Sequence, residues 1–140
     1  VSEDRLDQAE PPRIGPTLDD PTLVHWARFR ERFAEALKDD DLWTLEELEQ
    51  RIALRRAFFF PGKDAAIVGQ IEVYPTGARI MQFLWAVGDR AEIVAMEPGL
   101  VVISRMMGCS RILIEDTPET AHMMTPLGYG IASVTVSKEV

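Results

Sequence analysis

Cysteine occurs once in the 140 residues, as Cys109, and histidine twice, as His25 and His122. One cysteine excludes an intramolecular disulfide. The fold must therefore stand on its core, and a chain of this length can bury one of sufficient size as a single domain. Cys109 itself follows Gly108 after an apolar helical pattern, which reads as a small buried residue. Two histidines far apart make no cluster with metal-ligand spacing, so no metal is expected. Long apolar runs are also missing: nothing approaches the roughly 20 residues that span a bilayer, and no secretory signal opens the chain. No membrane role follows, and a reducing bacterial cytoplasm fits the cysteine usage. Basic charge is scarce, with 15 Lys and Arg against 23 Asp and Glu and a net charge of −8. Arg51, Arg55 and Arg56 are interleaved with apolar residues, and a nucleic-acid backbone would be repelled.

What is present falls into an arm and a domain. Residues 1–20, VSEDRLDQAEPPRIGPTLDD, hold three prolines and few large apolar side chains, and read as an extended N-terminal arm. Residues 21–140 read as one domain. Asp20 as N-cap and Pro21 in the first turn start a helix over 21–38, with Trp26, Phe29, Phe33 and Leu37 on one face. Asp39, Asp40 and Asp41 end it as a solvated loop. Neighbours in sequence do not converge on an ion. Thr44 and Glu47 form a capping box for a second helix with the face Leu45, Leu48 and Ile52.

Three strands follow, at 57–60, 65–74 and 78–87, separated by Pro61-Gly62-Lys63-Asp64 and Pro75-Thr76-Gly77, and they read as an antiparallel meander. Strict alternation in the third puts Met81, Phe83, Trp85 and Val87 on one face, with Ile80, Leu84 and Ala86 on the other. A helix from about Ala91 to Met107 should turn Ile93, Met96, Leu100, Ile103 and Met107 inward, kink or restart at Pro98, and end at Gly108. RILIED (111–116) is a short, central-looking strand. Thr117-Pro118 opens a short helix to about Pro126, and IASVTVSK (131–138) is the last strand. The fold class is α+β, a mostly antiparallel sheet flanked by helices.

The junction Gly88-Asp89-Arg90-Ala91-Glu92 joins a strand to a helix start, where free backbone N–H groups make a natural phosphate site. Here it brings two carboxylates, Asp89 and Glu92, instead. Two such charges within about 6 Å of a diphosphate would cost on the order of a few kcal/mol unless salt or Arg90 screens them. The favoured reading makes Asp89 a helix cap and Glu92 a first-turn carboxylate.

The order of elements over about 57–140 resembles the fold of the GNAT-type N-acyltransferases. The resemblance is strongest in MMGCSRILIEDTPETAHMMTPLGYGIASVTVSKEV, a helix ending in Gly, an apolar strand, a short helix closing on Leu127-Gly128-Tyr129, and a last strand ending near Lys138. Such proteins bind acyl-coenzyme A through a Gln/Arg-x-x-Gly-x-Gly/Ala loop, of which Gly88 alone matches. Many of them place a tyrosine as general acid where this chain has Met124, which has no proton to give. The resemblance therefore implies no assigned catalytic residue. Glu72 and Glu115, both on strands, are candidate general bases only if the chain is an enzyme, and His122 is a titratable neighbour of the last helix.

Gly108, Cys109, Arg111, Ile112 and Ile114, with Gly128-Tyr129, also resemble short GNAT-like proteins of tailed-bacteriophage structural gene clusters. The preferred reading is a non-catalytic protein acting by contact, a virion component associated with the interior, portal or tail. It would be present in several copies and grip protein partners through residues 1–20 and the helix 21–38, without a cofactor. Exposed Trp26 or Trp43 would anchor such contacts. The alternative is an acetyl-coenzyme A-dependent N-acetyltransferase with a reduced cofactor loop. The slot between strands 78–87 and 111–116 and the backbone near Val87 and Gly88 would then hold the cofactor, with Arg90 adding charge. A third reading is a regulatory or toxin-associated binding module.

Overall fold

The computed structural model describes residues 18–116 and 118–140. The arm expected over 1–20 lies outside the described residues up to position 17, and its last three residues belong to the domain. Leu18 packs against the core, and Asp19, not Asp20, is the N-cap of helix α1 (Asp20–Leu37), its carboxylate accepting from the Thr22 amide. Trp26, Phe29, Phe33 and Leu37 are buried, as the spacing requires. Trp26 is 1% exposed and so is no surface anchor. It stacks on Phe33 at 5.0 Å and meets Phe59 edge-on at 5.2 Å, while its indole N–H donates to Glu49. Burying each such ring contributes about 2–3 kcal/mol, and each ring pair about 1 kcal/mol more.

Asp40 closes the loop after α1 by accepting from the amides of Leu42 and Trp43. Helix α2 (Leu45–Ala53) is capped by Thr44, whose hydroxyl accepts from the Glu47 amide. The box is only half made, because the Glu47 carboxylate bonds Arg51 one turn on. Trp43 is partly buried, with the Arg51 guanidinium over its ring at 4.5 Å.

Strands β1 (Phe58–Pro61), β2 (Ala65–Val73), β3 (Arg79–Gly88) and β4 (Arg111–Ile114) form one sheet in the order β1-β2-β3-β4. The first two pairings are antiparallel and β3–β4 is parallel, reached through helix α3 (Arg90–Met106). Helix α4 (Pro118–Met124) and a 3-10 turn (Thr125–Leu127) follow. Helices α1 and α2 cover one face of the sheet and α3 the other, so the first half of β2 is buried and most of β3 half-buried.

Three expectations are corrected. The register of β3 slips between Val68 and Gly69: Val68 faces Trp85, Gly69 faces Phe83, and Leu84 is the extra residue of a bulge. Trp85 and Val87 therefore join the α1 core, whereas Met81 and Phe83 close over Gly69 from the other face. Helix α3 runs unbroken through Pro98, and its inward stripe includes Glu97, Leu100 and Ser104, leaving Ile103 exposed. The Ser104 hydroxyl donates back to the Leu100 carbonyl. Gly108, at φ 82°, ends the helix as expected.

The third correction concerns the C-terminus. Residues 131–138 form no strand, are exposed throughout, and make no backbone hydrogen bond among the described residues. β4 is consequently an edge strand of the described sheet rather than a central one. The segment keeps its strand-forming composition, but it stands away from the edge that would pair it.

Candidate functional site

The β3–α3 junction is one residue long: β3 ends at Gly88, Asp89 follows, and α3 begins at Arg90. Nothing is left over to wrap a ligand. Asp89 caps the helix, its carboxylate accepting from the Glu92 amide. Gly88 adopts φ 100°, and a Cβ on it would lie 2.1 Å from the Asp64 carbonyl oxygen. The glycine is thus required by the β1–β2 turn pressed against it, and not by an open cradle. Glu92 also turns toward that turn, accepting from the Asp64 amide at 2.8 Å.

The turn is held from every side. The Asp89 amide and the Arg32 guanidinium both donate to the Asp64 carbonyl, each at 2.9 Å. Arg28 donates to the carbonyls of Gly62 and Lys63. Residues 62–64 therefore tie α1 to the start of α3. Of the residues expected at a cofactor site, Val87 sends its side chain into the core and can offer only backbone, Gly88 is closed by Asp64, and Arg90 is exposed at the first position of α3.

Beside this junction the sheet opens. β3 and β4 pair from Ile80–Arg111 to Phe83–Ile114 and then part, while β3 continues to Gly88 on its bonds to β2. The edge of Leu84–Gly88 that faces β4 has no strand partner among the described residues, and the bulge at Leu84 marks where the two diverge. The backbone groups on that edge of Leu84–Gly88 are left without ladder partners, the kind of edge that can hold an extended polar chain by main-chain hydrogen bonds.

On the α1/α2 face of the same strands lies a polar strip that the alternation of β2 alone did not flag. Gln70 and Gln82 face each other across β2 and β3, with Nε2 of Gln70 3.5 Å from the Gln82 amide oxygen and 3.4 Å from Glu72. Arg51 donates to the Gln70 carbonyl oxygen at 3.3 Å. Glu72 thus belongs to a cluster, and Glu115 lies beyond the end of β4. Two glutamines opposite each other in otherwise apolar strands were the available signal. His122 is exposed on α4 and Met124 is buried.

On the α3 face, the Tyr129 hydroxyl donates to Glu97 at 3.2 Å. Burial first, then the Glu97 charge, pushes the phenol up to about 12. This pair borders a trough of about 1010 Å3 between β4, the inner side of α3, Met124 and residues 128–135. Among the described residues no group of three or more His, Cys, Asp or Glu could hold a metal ion. No helix among them is long and apolar enough to cross a membrane.

No family model matches the chain, and no curated protein matches it. Solved structures do. A Trypanosoma brucei acetyltransferase superposes with a TM-score of 0.61 at 12% identity, over 84% of this chain and 94% of that one. A ribosomal-protein-alanine N-acetyltransferase from Brucella melitensis gives 0.61 at 17% identity, over 88% and 94%. A glucosamine-6-phosphate N-acetyltransferase from Arabidopsis thaliana gives 0.59 at 15% identity, over 88% and 95%. The chain has the GNAT-type N-acetyltransferase fold, and the shared part is longer than residues 57–140, so it takes in N-terminal helix as well.

Proposed function

Because the chain carries this fold, we propose that it is an N-acyltransferase that binds an acyl thioester in the β3–β4 slot with a much reduced grip on the diphosphate of coenzyme A. The observation that supports this reading is the unpaired edge of Leu84–Gly88 beside the end of β4. Residues present at the slot fit the extended pantetheine arm. Residues at the junction do not fit a diphosphate cradle, since the one glycine is filled by Asp64 and no loop intervenes. When bound, coenzyme A would supply the activated acyl carbonyl and a thiol leaving group.

The chain's own part is positioning and charge. Main-chain N–H groups on the open edge of β3 are suited to donate to the acyl oxygen as negative charge develops on it. The polar strip of Arg51, Gln70, Gln82 and Glu72 would orient an amine acceptor, with Glu72 carrying the charge that receives its proton. No acid stands at Met124, and the sulfur of a thioester can depart as thiolate without one. Lacking that acid lowers the rate by roughly 100-fold or more. The test is release of free thiol from acetyl-coenzyme A in the presence of primary amines. The expected result is slow turnover that falls at least 10-fold in Glu72→Gln. No release above the buffer rate would reject an enzyme.

A second reading is favoured by the closed junction and by Met124: a GNAT-fold protein that acts by contact alone. A tailed-phage virion component, gripping neighbours through α1 and the residues before it, is the form that the sequence resemblance suggests. Failure of acyl-thioester binding, together with retention of the protein in assembled particles, would favour it.

A further inference from the structure

We propose that the open half of the sheet face on the α2 side binds a free α-amino acid, its ammonium at Glu72 and its carboxylate at Arg111. The identity of that amine as acyl acceptor rests on the acyltransferase reading, whereas the binding itself does not. The strand registers bring the two residues into one row. Glu72 on β2 lies opposite Ile80 on β3, and Ile80 lies opposite Arg111 on β4. Cross-strand partners share a face, so these three side chains rise from the same side of the sheet. The next row on that face is Gln70, Gln82 and Leu113. The bond from Arg51 to Gln70 identifies the face as the one that α2 packs on.

Helical cover ends partway down these strands. β2 is buried from Ala65 to Gly69, half-buried at Gln70 and Ile71, and exposed at Glu72 and Val73. Ile80, Gln82 and Leu113 are half-buried, and Arg111 is exposed. Neither Glu72 nor Arg111 makes an ion pair among the described residues. Two opposite charges therefore stand unpaired at the two sides of an apolar floor formed by Ile80.

Their spacing selects the ligand. Two strand separations place the Cα positions about 10 Å apart, and upright side chains keep roughly that distance between their charged ends. Two charge-assisted hydrogen bonds of about 2.8 Å leave about 4 Å for the ligand. That gap fits the ammonium and carboxylate of one α-amino acid and is too short for the ends of a dipeptide. Arg51 is already paired with Glu47, so the row offers one free charge of each sign and suits a net-neutral zwitterion over a simple cation or anion. Gln82 accepts from Gln70 through its amide oxygen, which leaves its NH2 group to donate to an oxygen on the ligand side chain. L-glutamine has each of these features.

The test is a titration of the isotope-labelled full chain, followed by its amide chemical shifts, with three probes. These are L-glutamine, L-glutaminamide, which lacks the carboxylate, and glutaramate, which lacks the ammonium. Saturable shifts in β2, β3 and β4 are expected with L-glutamine, and binding at least about 10-fold weaker with either other probe. Arg111→Gln should erase the preference over L-glutaminamide, and Glu72→Gln the preference over glutaramate, with circular dichroism unchanged in both. If a variant loses its helical signal, the three-probe comparison on the unaltered chain decides. Equal binding of the three probes, no binding of L-glutamine, or preferences that survive both substitutions would overturn the proposal. Binding of L-glutamine without acyl transfer would leave it standing and remove the acyltransferase reading. Transfer to simple amines by a chain that does not distinguish the probes would do the reverse.

Discussion

The carbonyl oxygen of Asp64 occupies the place where a side chain on Gly88 would begin, 2.1 Å from an ideal Cβ. Gly88 also sits at φ 100°, a conformation that other residues pay to adopt. Gly88→Ala should therefore destabilise the fold by about 3 kcal/mol or more, from backbone strain and overpacking together. Gly99, inside α3 with nothing within 4 Å of its Cβ position, is the control. Gly99→Ala should stabilise by about 0.5–1 kcal/mol. Urea denaturation of both variants checks the pair, and equal effects would contradict the packing described.

The clamp on the same turn gives a second expectation. Arg28 and Arg32 reach three successive carbonyls at residues 62–64 from one helix face. Replacing either by alanine should cost about 0.5–1.5 kcal/mol. Arg28→Lys should recover only part, because an ammonium keeps donors for the two carbonyls that Nη2 serves but gives up the Nη1 contact to His25. The double alanine variant should fall short of additivity, since both arginines hold one turn. Denaturant midpoints measure each of these changes, and an unchanged midpoint in the double variant would refute the clamp.

Tyr129 sets an alkaline limit. Its phenol is raised from 10.0 to about 12 in the folded chain. A raised folded value means that the phenol's contribution to stability is complete below pH 10 and is lost as pH climbs toward 12. The chain has two tyrosines, so Tyr74→Phe leaves one to observe. Its tyrosinate absorbance should rise with a midpoint of about 12 when folded, and near 10 in denaturant. A native midpoint near 10 would show that the phenol is not buried beside Glu97 in solution.

Much of this architecture could be read from residue order. Trp26, Phe29, Phe33 and Leu37 sit at helical spacing, and the Pro-Gly-Lys-Asp turn punctuates two apolar runs, so α1 and the meander follow from local chemistry alone. The slip at Leu84 could not be read. An inserted residue leaves alternation intact on either side, and only its pairing with β2 shows that Trp85 and Phe83 face opposite ways. Gly88 is ambiguous for a related reason: a glycine between strand and helix fits a ligand cradle and a close backbone neighbour equally well, and the neighbour lies 24 residues earlier. The partner of Glu92, the Asp64 amide, belongs to a turn distant in sequence, so the contact that orients this carboxylate is not legible at the junction itself. The segment 131–138 has the pattern of a strand, but a pattern does not say whose edge it will meet.

The polar strip yields a fourth expectation. Gln82→Leu should remove the cross-strand amide contact to Gln70 and leave Arg51 and Glu72 less well placed. If the strip orients the acceptor, KM for the amine should rise several-fold with little change in acyl-donor affinity. An equal loss in donor binding would place the strip on the other side of the reaction.

The claim that decides the account is that strand backbone, and not a phosphate cradle, holds the acyl donor. Calorimetric titration of the full chain with acetyl-coenzyme A and with acetyl-pantetheine, at equal ionic strength, measures it directly. The account predicts that both bind, with dissociation constants within about 10-fold of each other, or 1.4 kcal/mol. Absence of binding by either at millimolar concentration, or binding by the coenzyme alone, would contradict it.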